Sequence, residues 1–297
     1  MLERMLQRFP IVSRIFLSAL MTVGLLGLAE WSLSDGEWSQ LYDGDPGVLW
    51  WLKSDLDLSD VPHVEEGTTF SVQTNAIGMR DGMMPVASPW VLALGCSTTF
   101  GWGVEADETW PAVLEQELGV PVVNGGIPGH STEQALAIAS KLMAHTPDVV
   151  IFGWGLRDAQ RTTVADADRR TATFPRNTAL YKTLRRKLQS PVVSRGTIPR
   201  VSAEQFEANL RQLIAMAEAA GAEVLLLDMT ERSDHPDHGR VLGRLERPVV
   251  VPKLPSSMVF DADPIHLNVQ GNEALARLLA PGVSALLAQE EDDSLDP

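Results

Sequence analysis

Ser97 sits in the run Gly95-Cys96-Ser97-Thr98-Thr99, directly after the apolar residues Val91-Leu92-Ala93-Leu94. A serine hydroxyl becomes a nucleophile only when a base takes its proton, and the base needs a group that orients it. Asp263-Pro264-Ile265-His266 supplies a carboxylate and an imidazole three residues apart, just before the last helical segment. Together they point to Ser-His-Asp acyl chemistry, with Asp263 and His266 on one loop and Ser97 far upstream.

Such residues need a frame that brings distant segments to one edge. From Trp90 onward the pattern alternates strand and helix. Apolar runs at 91–95, 121–126, 148–155 and 223–229 read as strands. Helices are expected from Asp107-Glu108-Thr109 to Gly119, from a capping box at Ser131 and Gln134 to about 145, from a second box at Ser202 and Gln205 to about 221, and from about 268 to 287, with Pro281 as a bend. Strands that are apolar throughout are parallel strands covered on both faces. The expected fold is therefore a three-layer α/β/α sandwich with a mostly parallel, flavodoxin-like sheet, preceded by one N-terminal hydrophobic helix. In it Ser97, the Asn124–Gly129 turn, Gly155-Leu156-Arg157-Asp158, and Asp263 with His266 all meet at the carboxyl edge, where open α/β sheets bind ligands.

On these motifs the chain resembles the SGNH/GDSL hydrolase family over about residues 90–288. Gly95–Gly101 is similar to the family block that carries the nucleophile. Val123-Asn124 to Gly129 is similar to the block whose glycine amide helps form the oxyanion hole, and Asp263-Pro264-Ile265-His266 matches its Asp-x-x-His block. The wording from Gly101 to Val104 and from Glu108 to Pro111, with Thr74–Arg80 upstream, resembles membrane-anchored bacterial members. The resemblance implies Ser97, His266 and Asp263 as catalytic residues, and Ser97, Gly129 and Arg157 around the oxyanion. Two positions depart from the family pattern. Cys96 stands where an aspartate is usual and reads as a small buried residue. Arg157 stands where an asparagine supports the oxyanion; a guanidinium can also donate there, or can turn to Asp158. The expected activity is ester hydrolysis or acyl transfer, on a carbohydrate at the cell surface. The other class open to this sequence is a catalytically weak glycan-binding or assembly factor. The Gly-x-Ser-x-Gly elbow is absent because of Thr99, and no Gly-x-Gly-x-x-Gly opens a helix after a strand.

Bulk properties bound the rest. The 297 residues are 44% hydrophobic and carry a net charge of -15, which disfavours nucleic acid as a partner. Cys96 is the one cysteine, so no intrachain disulfide can form. No cofactor or metal is expected; Asp234–His238 reads as a solvated polar loop. Residues 1–31 read as a signal or anchor helix: Arg4, Arg8 and Arg14 precede the uncharged stretch from Ile15 to Ala29, which sends the remainder across the membrane. Gly27-Leu28-Ala29 also fits signal cleavage. Residues 32–88 read as an extension packed on the main domain, 89–289 as the hydrolase domain, and 290–297 as a frayed acidic tail. The basic cluster at 182–200 reads as a solvated helix face. His130 reads as lining the cleft or capping a turn, and Trp50 and Trp51 as packing residues.

Overall fold

The computed structural model of the chain describes residues 10–293, apart from 35–37, 45–47, 64, 66, 81–83, 86–88, 171–177, 179–195 and 231–236. It divides into two compact units, Met1–Leu41 with Ala172–Ser194, and Tyr42–Thr171 with Arg195–Pro297. In the first unit, helix α1 spans Pro10–Ser34. Its large apolar side chains, among them Ile15, Phe16, Leu20 and Val23, are exposed. Among the described residues no helix is long and apolar enough to cross a membrane. The expected signal or anchor helix over residues 1–31 is therefore not shown, and residues 1–9 of it lie outside the described residues. The uncharged stretch bounded by Arg14 and Glu30 holds fifteen residues, against roughly 20 for a bilayer.

In the second unit, after a short antiparallel pairing of Tyr42–Asp43 with Trp51–Leu52, strands β1 (Asp57–Pro62) and β2 (Thr69–Gln73) form an antiparallel hairpin with a register shift between Leu58 and Val61. The alternation at 70–74 gives β2 away; β1 is acidic and irregular, and the sequence hides it. The main sheet then comprises β3 (Val91–Gly95), β4 (Val122–Gly126), β5 (Val149–Gly153), β6 (Glu223–Leu227) and β7 (Val249–Val250). Every pairing is parallel, in the order β7-β6-β5-β3-β4. That is the flavodoxin-like order, with its switch point between β3 and the strands on either side. The two-residue β7 lies in the 230–262 segment that the sequence presents as loop.

Both faces of the sheet are covered. Val91, Ala93, Val149, Ile151, Leu225 and Leu227 form one core with α3 (Trp110–Leu118) and α8 (Val269–Asp293). The alternate residues, such as Leu92, Leu94, Val150 and Phe152, are equally buried on the other face. There α4 (Thr132–Met143) packs on α6 (Ala203–Ala219), which contacts β6. Helix starts follow their signals. Thr109 caps α3, and Ser131 with Gln134 forms the reciprocal box on α4. Ser202 accepts from Gln205 N, but the Gln205 side chain turns to Asn209, so the second box is a single cap.

Other expectations are corrected. α8 contains Pro281 and continues to Asp293; much of the supposed acidic tail is helical, and 294–297 lie outside the described residues. Most of the basic cluster at 182–200 lies outside as well. Arg200, at its end, is buried and paired with Asp166 at 2.7 Å. Asp234 to Pro236 are outside, while His238 is not solvated: it is buried on α7 (Asp237–Leu242), bonded to Val201 O at 2.9 Å.

Candidate active site

Strand β3 ends in a tight corner. Cys96, fully buried, precedes the single turn α2 (Ser97–Phe100), and its carbonyl accepts from Thr99 N and Phe100 N. The corner is held from outside by Arg80. Its guanidinium, buried against the Phe100 ring at 4.4 Å, donates to the carbonyls of Phe100, Gly101 and Val104, each at 2.6 Å. Asn124, on β4, also reaches Phe100 O. Ser97 is thereby fixed at the carboxyl edge with its hydroxyl facing the loop before α8.

That loop is shaped by its own backbone. Val259 and Leu267 form a bridge, and Phe260 N donates to His266 O. Asn268 caps α8 by accepting from Gly271 N at 3.0 Å. Inside the loop, Asp263 Oδ1 accepts from Ile265 N at 3.1 Å and His266 N at 3.3 Å, while Oδ2 takes a short bond with His266 Nδ1. His266 Nε2 lies 2.8 Å from Ser97 Oγ. The three side chains form a continuous hydrogen-bonded chain from hydroxyl to imidazole to carboxylate. Burial pushes the Asp263 carboxyl up, but the His266 contacts and the two amide donors outweigh it and bring it to about 2. Asp263 is therefore an anion that holds the proton on Nδ1 and leaves Nε2 free to accept.

Arg157 completes the contacts. Helix α5 (Leu156–Ala159) follows β5, and from it Arg157 Nη2 donates to Ser97 Oγ at 3.1 Å. Its Nε is buried with no hydrogen-bond partner among the described residues. The side chain does not turn to Asp158. That carboxylate instead binds Thr132 and Gly155 N, and burial raises its pKa despite those bonds.

Gly129 lies one strand over, in the turn after β4, whose end is in register with that of β3. Its φ of +81 favours glycine, and a Cβ would stand 3.0 Å from the Trp50 ring. Among the described residues no hydrogen bond joins it to Ser97, His266, Asp263 or Arg157. Trp50 donates to Pro128 O at 3.0 Å, and His130 Nε2 bonds Trp50 O at 2.8 Å. His130 is buried, so it locks the turn to the extension and does not line a cleft. Among the described residues, no three His, Cys, Asp or Glu side chains are grouped as metal ligands. Arg80 carries no signal in the sequence beyond its place in Thr74–Arg80.

A family model described as GDSL-like lipase/acylhydrolase matches residues 93–274. An arylesterase of Vibrio mimicus is 37% identical over 81 residues, 25% of this chain and 40% of that protein, so the chain spans less than half of this curated relative. Among solved structures, TesA is 22% identical, with 66% of this chain and 99% of that chain covered and a TM-score of 0.48. The esterase EstA from Pseudoalteromonas sp. is 14% identical, with 68% and 100% covered and a TM-score of 0.47. A catalytic mutant of an acetylxylan esterase from Geobacillus stearothermophilus is 18% identical, with 67% and 95% covered and a TM-score of 0.42. The match over residues 93–274 takes in both Ser97 and the Asp263–His266 loop and covers more than half of the chain, which therefore belongs to the GDSL-like lipase/acylhydrolase family.

Proposed function

We propose that this protein is a serine esterase that acts through Ser97, His266 and Asp263. The observation that carries the reading is the 2.8 Å contact between Ser97 Oγ and His266 Nε2, with Asp263 on the opposite ring nitrogen. His266 takes the hydroxyl proton as Ser97 Oγ bonds to the ester carbonyl carbon, and the carbonyl electrons move to its oxygen. The Arg157 guanidinium, with the amides of Ser97 and Gly129, receives that oxyanion. His266 then protonates the leaving alcohol, and the acyl group remains on Ser97. Water, or an acceptor hydroxyl in the transferase version, is deprotonated by His266 and releases it.

The substrate class is an acyl group, such as acetyl, on a surface carbohydrate; the resemblance of Gly101–Pro111 to membrane-anchored members supports it. The domain works outside the cytoplasm, held at a lipid surface by α1. Three arginines before the uncharged stretch and the exposed Ile15, Phe16, Leu17 and Leu20 support this placement. The test is fluorophosphonate labelling of the full chain with mapping of the adduct, beside hydrolysis of p-nitrophenyl acetate and of an acetylated oligosaccharide. Adduct on Ser97, abolished in His266→Ala, is expected. A folded protein that takes no label would remove the esterase reading.

A further inference from the structure

The loop between β1 and β2 brings a second imidazole to the acid–base loop. His63 N donates to Thr68 O at 3.0 Å, and the His63 side chain is 1% exposed. Its ring lies against Phe260, with centroids 4.2 Å apart. Its other side faces Gly103, where φ is +96 and a Cβ would come within 2.6 Å of Cδ2 and Nε2 of the imidazole. Only glycine leaves that slot open. Two residues on, Glu65 Oε1 accepts from Asp261 N at 3.0 Å. The hairpin loop thus holds the Asp263 loop at two points.

The Nδ1 side of the ring meets a backbone donor. His63 Nδ1 accepts from Glu65 N at 3.3 Å and lies 3.4 Å from Thr68 Oγ1. An acceptor Nδ1 leaves the proton on Nε2. That Nε2 is buried, has no hydrogen-bond partner among the described residues, and stands 3.8 Å from Asp263 Oδ2. This is the same oxygen that His266 Nδ1 engages. A buried N–H with no acceptor is costly, and the nearest anion satisfies it with a small contraction.

We propose that His63 is a positioning residue for the acid–base pair, a neutral imidazole whose Nε2–H is the second donor to Asp263 Oδ2. It fixes the carboxylate and withdraws part of its charge from His266. The inference rests on the serine-esterase reading. The charged and titratable groups that face His63 are Asp263 and His266 across the slot and Glu65 on its own loop. Burial lowers the His63 pKa, Asp263 and Glu65 raise it and His266 lowers it, with a net downward shift that keeps the ring neutral at pH 7. Without the donor, the full carboxylate charge falls on the His266 imidazolium, which then persists to higher pH.

The experiment uses the full chain, His63→Phe and His63→Gln. Phenylalanine keeps the stacking on Phe260 without a donor; glutamine places an amide N–H near the Nε2 position. Expected in His63→Phe is an upward move of the acid limb of kcat/KM by about half a pH unit or more, with kcat down by about threefold to tenfold and KM unchanged. His63→Gln is expected to restore the limb. An unmoved limb in His63→Phe, or an equal displacement in both variants, overturns the proposal. Nitrogen NMR of the wild type reads the His63 tautomer and the His266 titration without turnover; a proton on His63 Nδ1 overturns it even if His63→Phe does not fold. Absence of fluorophosphonate adduct on wild-type Ser97 is a different result and removes the esterase reading itself.

Discussion

Arg157 Nη2 lies 3.1 Å from Ser97 Oγ, so the arginine stands beside the Ser97, His266 and Asp263 side chains. On the serine-esterase proposal, a donor already seated on Ser97 Oγ is preorganised for the charge that would develop beside it. Arg157→Met should therefore lower kcat by about 10²–10³, the usual loss for one oxyanion donor, with the melting temperature nearly unchanged. Arg157→Asn should also fall, because the shorter amide leaves its place empty; a rise in p-nitrophenyl acetate turnover in Arg157→Asn would show the arginine to be an obstruction. On the same proposal Asp263 acts through the imidazole it bonds. Asp263→Asn should cut kcat by about 10⁴, as expected when an orienting carboxylate is lost and the wrong tautomer is favoured. The meeting of Ser97, His266 and Asp263 was legible from residue type and spacing. His63 was not: a lone histidine in an irregular segment carries no spacing signal, and its relation to Asp263 exists only in three dimensions.

At the scale of elements, the corner that presents Ser97 depends on a side chain from outside the sheet. Arg80 satisfies three carbonyls around α2 at 2.6 Å and contacts Ser71 O at 3.1 Å. Arg80→Leu would leave those carbonyls buried without this donor, at a cost of about 1–3 kcal/mol for each unsatisfied group. It should lower both the melting temperature and the yield of Ser97 adduct, measured by calorimetry and labelling on one preparation. Arg80→Lys should recover only part, since an ammonium lacks the planar fork. The strands of the main sheet up to β6 were readable because each carries a short apolar run next to turn signals. β1 and β7 were not, because one is acidic and the other has two residues; their pairing is decided by neighbours. The Ser202 cap was half right for a similar reason: Gln205 had a better partner in Asn209 than in the backbone.

Across the whole molecule, titration should betray how the extension is locked on. Burial pushes His130 down to about 3, against which the Trp50 carbonyl pulls only weakly upward. Between the ordinary value of 6.5 and about 3 the unfolded chain binds a proton that the folded chain refuses. Stability is then full above pH 6.5 and declines as the pH falls toward 3. Urea midpoints should drop between pH 7 and pH 4.5, and His130→Asn should flatten that drop. An equal drop in the variant would place the acid sensitivity elsewhere. Asp263 adds a second loss in more acid solution, as the pH falls from its ordinary 3.8 toward about 2.

The hydrogen bond between Ser97 and His266 joins residues 169 positions apart in the chain. Its consequence lies in time. Ser97 is among the first parts of the sheet to be synthesised, yet its base arrives only with the loop that precedes α8. A growing chain that stops short of that loop carries an inert alcohol, and a long-range closure of this kind forms late in folding. On the esterase proposal, reactivity would therefore be a late acquisition, and the appearance of label on Ser97 during refolding would clock the closure that joins it to His266.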